Sequence, residues 1–170
     1  MKKNFLFVFL GLSLIAATVA CEKKEKPKEE VVLEAKQSVR NDLPALNVSQ
    51  VDNQKVSFKD LKGKVLLVFF NPDCDHCQRQ GQMIANNRPM LEGYETYFVS
   101  PDSIQAIEKY SKEYKLEDPT IHFAHAEGMD IYNAIGPITN LPTYFVYNNQ
   151  ALVARTDGEI SSEKLKQILK

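Results

Sequence analysis

The 170-residue chain balances 21 Lys and Arg against 22 Asp and Glu, for a formal charge of −1 at pH 7. That balance argues against a nucleic-acid partner, which demands clustered positive charge to neutralise phosphates. A hydrophobic content of 44% is ordinary for a soluble domain that buries a core.

The chain opens Met1-Lys2-Lys3, runs through an apolar stretch from Phe5 to Ala17, and reaches Thr18-Val19-Ala20-Cys21. A basic start, a short apolar run and small residues before a cleavage point read as a secretory signal. The run is short for a spanning helix, which needs about 20 residues. Thr18-Val19-Ala20-Cys21 resembles a bacterial lipobox, with Thr18 where that motif most often carries Leu. Cys21 is therefore expected to carry a lipid anchor; simple signal cleavage would leave it a bystander. Glu22 to Glu30, EKKEKPKEE, has no apolar residue apart from Pro27 and reads as a solvated tether. The expected organisation is a signal over 1–20, anchor and charged tether over 21–42, and one folded domain over 43–170.

Within that domain, Val48–Val51 and Lys55–Phe58 read as short strands joined by an Asp52-Asn53-Gln54 turn. Asp60-Leu61-Lys62-Gly63 breaks the chain before Val65–Phe70, a continuous apolar run of the kind buried on both faces of a sheet. Asn71-Pro72-Asp73 ends that strand, because Pro72 cannot continue its ladder. A helix is predicted from Asp75 to about Asn87, stopping near Arg88-Pro89. A strand over Thr96–Ser100 follows. The next helix opens at Pro101-Asp102-Ser103, has Ile104, Ile107 and Tyr110 near helical spacing, and ends before Asp118-Pro119. Ile121–Ala126 reads as extended, and Glu127–Ile135 as a helix or turn closed by Gly136-Pro137. Thr143–Tyr147 and Ala151–Thr156 read as strands about an Asn148-Asn149 turn. Ser161-Ser162-Glu163 caps a last amphipathic helix with Leu165, Ile168 and Leu169 on one face. The order predicts an α/β sandwich.

The chemistry concentrates in Cys74-Asp75-His76-Cys77, directly after the buried strand. A strand running into this motif places Cys74 at a helix N-terminus, where unpaired N–H groups and the helix dipole favour thiolate over thiol. Thiol–disulfide exchange needs that arrangement, because the thiolate is the attacking species. The geometry expects Cys74 to be the exposed attacking thiolate and Cys77, one turn further and more buried, to resolve the mixed disulfide. His76, if cationic, would stabilise the thiolate and make the pair more oxidising. Asp73 and Asp75 push the opposite way. These signs oppose, so the residues alone leave the redox direction open. With Cys21 assigned to the anchor, no cysteine remains for a structural disulfide, and the core must hold the fold.

The order of elements resembles the thioredoxin fold, a central mixed sheet flanked by helices, here with an N-terminal β-hairpin. Leu141-Pro142-Thr143, just before the penultimate strand, is the second marker: the resemblance implies a cis-proline packed against the C-x-x-C. It also implies that backbone beside Pro142 pairs with an extended substrate segment. Over about residues 43–170 the chain is more closely similar to the membrane-anchored TlpA/ResA-like thiol–disulfide oxidoreductases. The hairpin, the Asp60 to Lys64 lead-in D-L-K-G-K, and an insertion before Pro142 carry that likeness. Three departures stand out. Asp73 replaces the Trp common before the first cysteine, and Val68 stands where thioredoxins carry a buried acid. Asp75 lies inside the motif, as an acid does in some relatives, and is a candidate for proton handling alongside its favourable place at a helix start.

The resemblance implies an extracytoplasmic enzyme that exchanges disulfides with secreted cysteine proteins, apocytochrome c among the candidates. It implies a reductase fed by a membrane electron donor, bound to the membrane through its lipid, with no cofactor. Two rivals come from other classes. Cys74 and Cys77 with His76, His122 or His125 offer soft ligands to copper or zinc, but thioredoxin-fold copper-delivery proteins separate their cysteines by three residues. Peroxiredoxins place Thr or Ser three residues before the reactive cysteine and Pro four earlier, where this chain has Asn71 and Leu67.

Overall fold

The computed structural model describes residues 40–170. The expected signal, Cys21 and the tether as far as residue 39 lie outside the described residues. The elements follow in the order β1 (Asn47–Gln50), β2 (Lys55–Ser57), β3 (Lys64–Phe69), α1 (Asp75–Asn86), β4 (Tyr94–Ser100), α2 (Ile104–Glu113) and β5 (Ile121–His125). Then come α3 (Gly128–Ile135), β6 (Thr143–Asn148), β7 (Ala151–Asp157) and α4 (Ser162–Ile168), with short 3-10 turns at Phe58–Asp60 and Arg88–Leu91. The strands form one seven-stranded sheet in the order β2-β1-β5-β4-β3-β6-β7.

β3 is the strand on which the site is built. It pairs parallel with β4 and antiparallel with β6, and Val65 to Phe69 are all buried. The continuous apolar run follows from this position, since period-2 alternation sends successive side chains into two different cores. Leu66 and Val68, with Phe70, pack against Cys77 and Ile84 of α1, Ile107 and Tyr110 of α2, and Leu165 of α4. Val65, Leu67 and Phe69 face the other core, with Leu46, Phe58, Val99, Ile131 of α3 and Phe145. Each such side chain contributes about 1.5–3 kcal/mol by leaving water. A polar substitution anywhere from Val65 to Phe69 therefore damages one core or the other.

The helices begin where the sequence supplies caps. The Ser103 hydroxyl accepts from the Ala106 amide at 3.3 Å and the Ser161 hydroxyl from the Lys164 amide at 3.2 Å, each satisfying an orphan donor of the first turn. Three local expectations shift. Phe58 leaves the hairpin for the 3-10 turn, where it is fully buried and meets the Tyr97 ring edge-on at 5.3 Å. Core packing thus outweighs strand propensity at that position. β4 starts at Tyr94, two residues before the expected Thr96, because the Gly93 turn (φ +81°) hands the chain directly into register with Lys64. The β6–β7 turn centres on Asn149 and Gln150, at φ +46° and +70°, rather than on Asn148-Asn149. Positive φ at both central residues matches the twist of a two-residue hairpin, and among residues with a side chain Asn is one of those that tolerate it best.

Candidate active site

The loop from β3 into α1 is shaped by Asn71. Its side-chain oxygen accepts from the Asp73 amide at 2.8 Å and its carbonyl from the Cys74 amide at 3.2 Å. Its amide group donates to Asp102 Oδ2 at 3.0 Å, and Asp102 is held in turn by the Ser100 hydroxyl at 2.9 Å. Asp102 opens the stretch before α2, so the C-terminal ends of β3 and β4 are tied together at the loop that presents Cys74. Gln78 Nε2 donates to the Pro72 carbonyl at 3.0 Å and closes the same turn from the helix side.

Cys74 is the N-cap of α1 and is partly exposed, and its sulfur is not committed as a cap. Asp75 is the first helical residue and lies exposed, a position the helix dipole favours for a carboxylate. Cys77 is 1% exposed, and both residues are free thiols. Burial pushes the Cys77 thiol up to about 12, a rise that the neighbouring Asn71 backbone only partly offsets. The two sulfurs therefore differ in kind: one faces solvent at a helix start, the other sits in the core. Cys77 is fixed further by Tyr110 of α2, whose hydroxyl donates to the Cys77 carbonyl at 2.6 Å.

The Leu141–Pro142 peptide is cis. The register that pairs Phe69 with Thr143 brings Pro142 to the same end of the sheet as the Asn71–Cys74 loop. Beside both lies a cavity of about 460 Å³, lined by Phe70, Asn71, Pro101, Tyr132, Ile138 and Leu141 among others. Val68, at the position of the missing acid, is buried opposite Tyr144. The polar groups under α1 are instead Gln80 and Tyr144: the Tyr144 hydroxyl donates to Gln80 Oε1, and Gln80 Nε2 donates to the Ile160 carbonyl at 2.8 Å.

His76 sits within a cluster that short-range sequence reasoning missed. It is exposed, with Nδ1 at 2.8 Å from Glu159 Oε2 and 2.7 Å from Arg79 Nη2. Arg79 also grips Glu159 in a fork, Nε to Oε1 at 2.9 Å and Nη2 to Oε2 at 2.7 Å. The Arg79 guanidinium first, and His76 second, hold the Glu159 carboxyl down at about 2. Glu159 follows β7, 83 positions from His76, so no local pattern points to it. The preceding Gly158 takes φ +85° and donates its N–H to the Pro142 carbonyl at 2.8 Å. The Gly158–Ile160 loop thus touches the cis-proline turn and α1 together.

Of the three histidines weighed as metal ligands, His122 and His125 are engaged elsewhere. His122 Nε2 lies 2.8 Å from Glu95 Oε2 with its ring stacked on Tyr97, and His125 Nδ1 donates to the Asp102 carbonyl at 2.8 Å. Among the described residues no group of three or more His, Cys, Asp and Glu is arranged to hold a metal ion.

A family model described as "AhpC/TSA family" matches residues 39–156. A thiol-disulfide oxidoreductase ResA of Bacillus cereus (strain ATCC 10987 / NRS 248) is 28% identical over 178 aligned positions, spanning all of this chain and 98% of the relative. Among solved structures, a secreted Mycobacterium tuberculosis disulfide oxidoreductase homologous to E. coli DsbE superposes with a TM-score of 0.64. It is 11% identical, over 74% of this chain and 94% of that one. StoA from Bacillus subtilis superposes at 0.58, is 17% identical, and matches over 75% and 98% respectively. These superpositions are of the thioredoxin-like fold.

Proposed function

The chain belongs to the AhpC/TSA family and is a thiol–disulfide oxidoreductase, and from that premise we propose that it works outside the cytoplasm as a lipid-anchored reductase. The observation that carries the reading is the asymmetry of the pair. Cys74 is reachable at a helix start, while Cys77 is buried with its thiol pushed up to about 12. The Cys74 thiolate attacks one sulfur of a substrate disulfide, forming a mixed disulfide and releasing the first substrate thiolate. Cys77, after losing its proton, attacks Cys74 Sγ. That step releases the second substrate thiolate and leaves a Cys74–Cys77 disulfide. Two electrons from a membrane donor return the pair to dithiol, and no cofactor enters. Asp75, exposed beside the pair, handles the Cys77 proton.

The substrate is a secreted protein with paired cysteines, apocytochrome c being one candidate, held in extended form against the backbone beside Pro142. The cavity next to the site has room for a side chain flanking the reacting cysteine. The acids Asp73 and Asp75 at the start of α1 disfavour a neighbouring thiolate, which supports a pair that gives electrons away. Residues 1–20 are assigned as the signal, Cys21 as the lipidated residue and the charged stretch after it as the tether, which ends before the expected residue 42 because Asn41 and Asp42 bond to Lys59 and Leu152 of the domain. No helix of the described residues is long and apolar enough to cross a membrane, and the lipid supplies the membrane contact. Copper delivery is disfavoured by the motif spacing and by the separate engagements of His122 and His125. A peroxidase is disfavoured because Asn71 offers no hydroxyl and its amide is tied to Asp102.

Acid-quenched cells carrying Cys77→Ser test the proposal. Mixed disulfides with envelope proteins accumulate through Cys74 and vanish in Cys74→Ser/Cys77→Ser. Their absence, or their persistence without Cys74, contradicts the assignment.

A further inference from the structure

The Gly158–Ile160 loop closes over the site with three independent attachments. Gly158 N–H binds the Pro142 carbonyl, Ile160 accepts from the buried Gln80, and between them Glu159 receives Arg79 and His76. Two anchored neighbours fix the Glu159 backbone, so its carboxylate is delivered to the first turns of α1. Arg79 is a cation at every working pH. It lies in electrostatic reach of Asp75 and the Cys74 sulfur, although Glu159 is its dominant partner. His76 Nδ1 has one proton position facing two neighbours: it accepts from Arg79 when bare and donates to Glu159 when protonated. Asp73 and Asp75 add negative charge on the same lip, whereas Tyr110, from α2 below, is neutral. An exposed ion pair adds little to folding stability, so this cluster is better read by what it does to the adjacent thiol.

We propose that Glu159 is a positioning residue for the attacking thiol. By pairing with the Arg79 guanidinium, with His76 held beside it, Glu159 cancels that fixed positive charge and keeps the Cys74 thiol less acidic than an unpaired guanidinium would make it. This rests on the reading of Cys74 as the attacking residue. A weaker thiolate is a less stabilised reduced form, so the same contact keeps the pair reducing. The β7–α4 loop, remote in sequence, then sets how strongly the protein gives up electrons.

The test uses the folded, reduced protein in four forms: wild type, Glu159→Gln, Arg79→Gln and the double variant. Site-resolved alkylation by iodoacetamide across pH gives the Cys74 ionisation constant, and equilibration with glutathione gives the potential. Charge withholding predicts opposite signs, because Arg79 stays charged throughout the titration. Glu159→Gln raises the ionisation constant about threefold, Arg79→Gln lowers it about threefold, and the double variant returns near wild type. With the glutathione equilibration run above the ionisation range of Cys74 found by alkylation, that threefold change carries into the thiol–disulfide equilibrium as about 14 mV for a two-electron couple, upward for Glu159→Gln and downward for Arg79→Gln. A merely structural bridge is broken by either change, so shifts of the same sign, or none, overturn the proposal. Preferential alkylation of Cys77 instead overturns the assignment of Cys74, a distinct failure.

Discussion

At the scale of single residues, the site works by making two chemically identical side chains unlike. Cys74 ends a loop and begins a helix; Cys77 is 1% exposed and its thiol is pushed up to about 12 by burial. Of this pair, reduced native protein treated briefly with iodoacetamide at pH 8 is therefore expected to take one label, at Cys74. Denaturant should expose the second site, and mass spectrometry of the peptides checks both. Glu159 has a linkage signature of its own. Its folded carboxyl is lowered from 4.5 to about 2, by Arg79 first and His76 second. A depressed carboxylate stabilises the fold above its unfolded value, and that contribution is lost as pH falls from about 4.5 toward about 2. Thermal melts should thus fall more steeply with acid for wild type than for Glu159→Gln over that window. Exposure of the pair keeps the difference small. Cys74, Asp75, His76 and Cys77 were legible because four consecutive residues after an apolar strand declare their own placement. Glu159 and Arg79 were not, since their meeting depends on how β7 leaves the sheet. The sequence contest between Asp75 and His76 therefore omitted the fixed cation and the carboxylate that partners it.

At the scale of elements, α1 is held in place by two polar contacts on its buried side. One is Tyr110 to the Cys77 carbonyl, the other Gln80 to Tyr144 and the Ile160 carbonyl. Gly81 makes the α1–α2 approach possible: a Cβ there would lie 2.4 Å from the Tyr110 hydroxyl oxygen and 3.2 Å from the Tyr114 ring. Gly81→Ala should destabilise by about 1–3 kcal/mol through overpacking, although alanine is otherwise the better helix former. Tyr110→Phe loses one buried hydrogen bond and should cost about 1–2 kcal/mol. Combined, the two should cost clearly less than their sum, because removing the hydroxyl vacates the space the new methyl needs. Denaturant titrations of the four proteins decide this. Elements with a strong period were readable: β3 from its unbroken apolar run, α2 and α4 from their Ser caps and spaced apolar residues. Boundaries fixed by tertiary contact were not. Phe58 reads as strand by propensity but is drawn into a 3-10 turn by the core around Tyr97. The shift of the β6–β7 turn to Asn149-Gln150 comes from hairpin twist, which composition does not reveal.

At the scale of the whole molecule, two cores clamp one sheet, and the Asn71–Cys74 loop, the cis-proline turn and the β7–α4 loop converge at one end of it. The fold class was legible because the alternation of strands and helices leaves few other ways to bury both faces of β3. The pairing of β1 with β5 as well as with β2 was not, since β1 contributes only four residues to that choice. The proposed tether makes a separable prediction. Cys21→Ala should move the protein from the membrane fraction to the soluble fraction while leaving disulfide exchange by the purified domain unchanged, as read by fractionation and an exchange assay. A reductase of the proposed kind keeps this pair reduced so that it can donate electrons. Trapping thiols in intact cells with acid and a maleimide label measures this directly. Most of the Cys74–Cys77 pool is expected as dithiol, turning to disulfide when electron supply across the membrane is cut. A pool that is mostly disulfide in untreated cells would contradict the proposal.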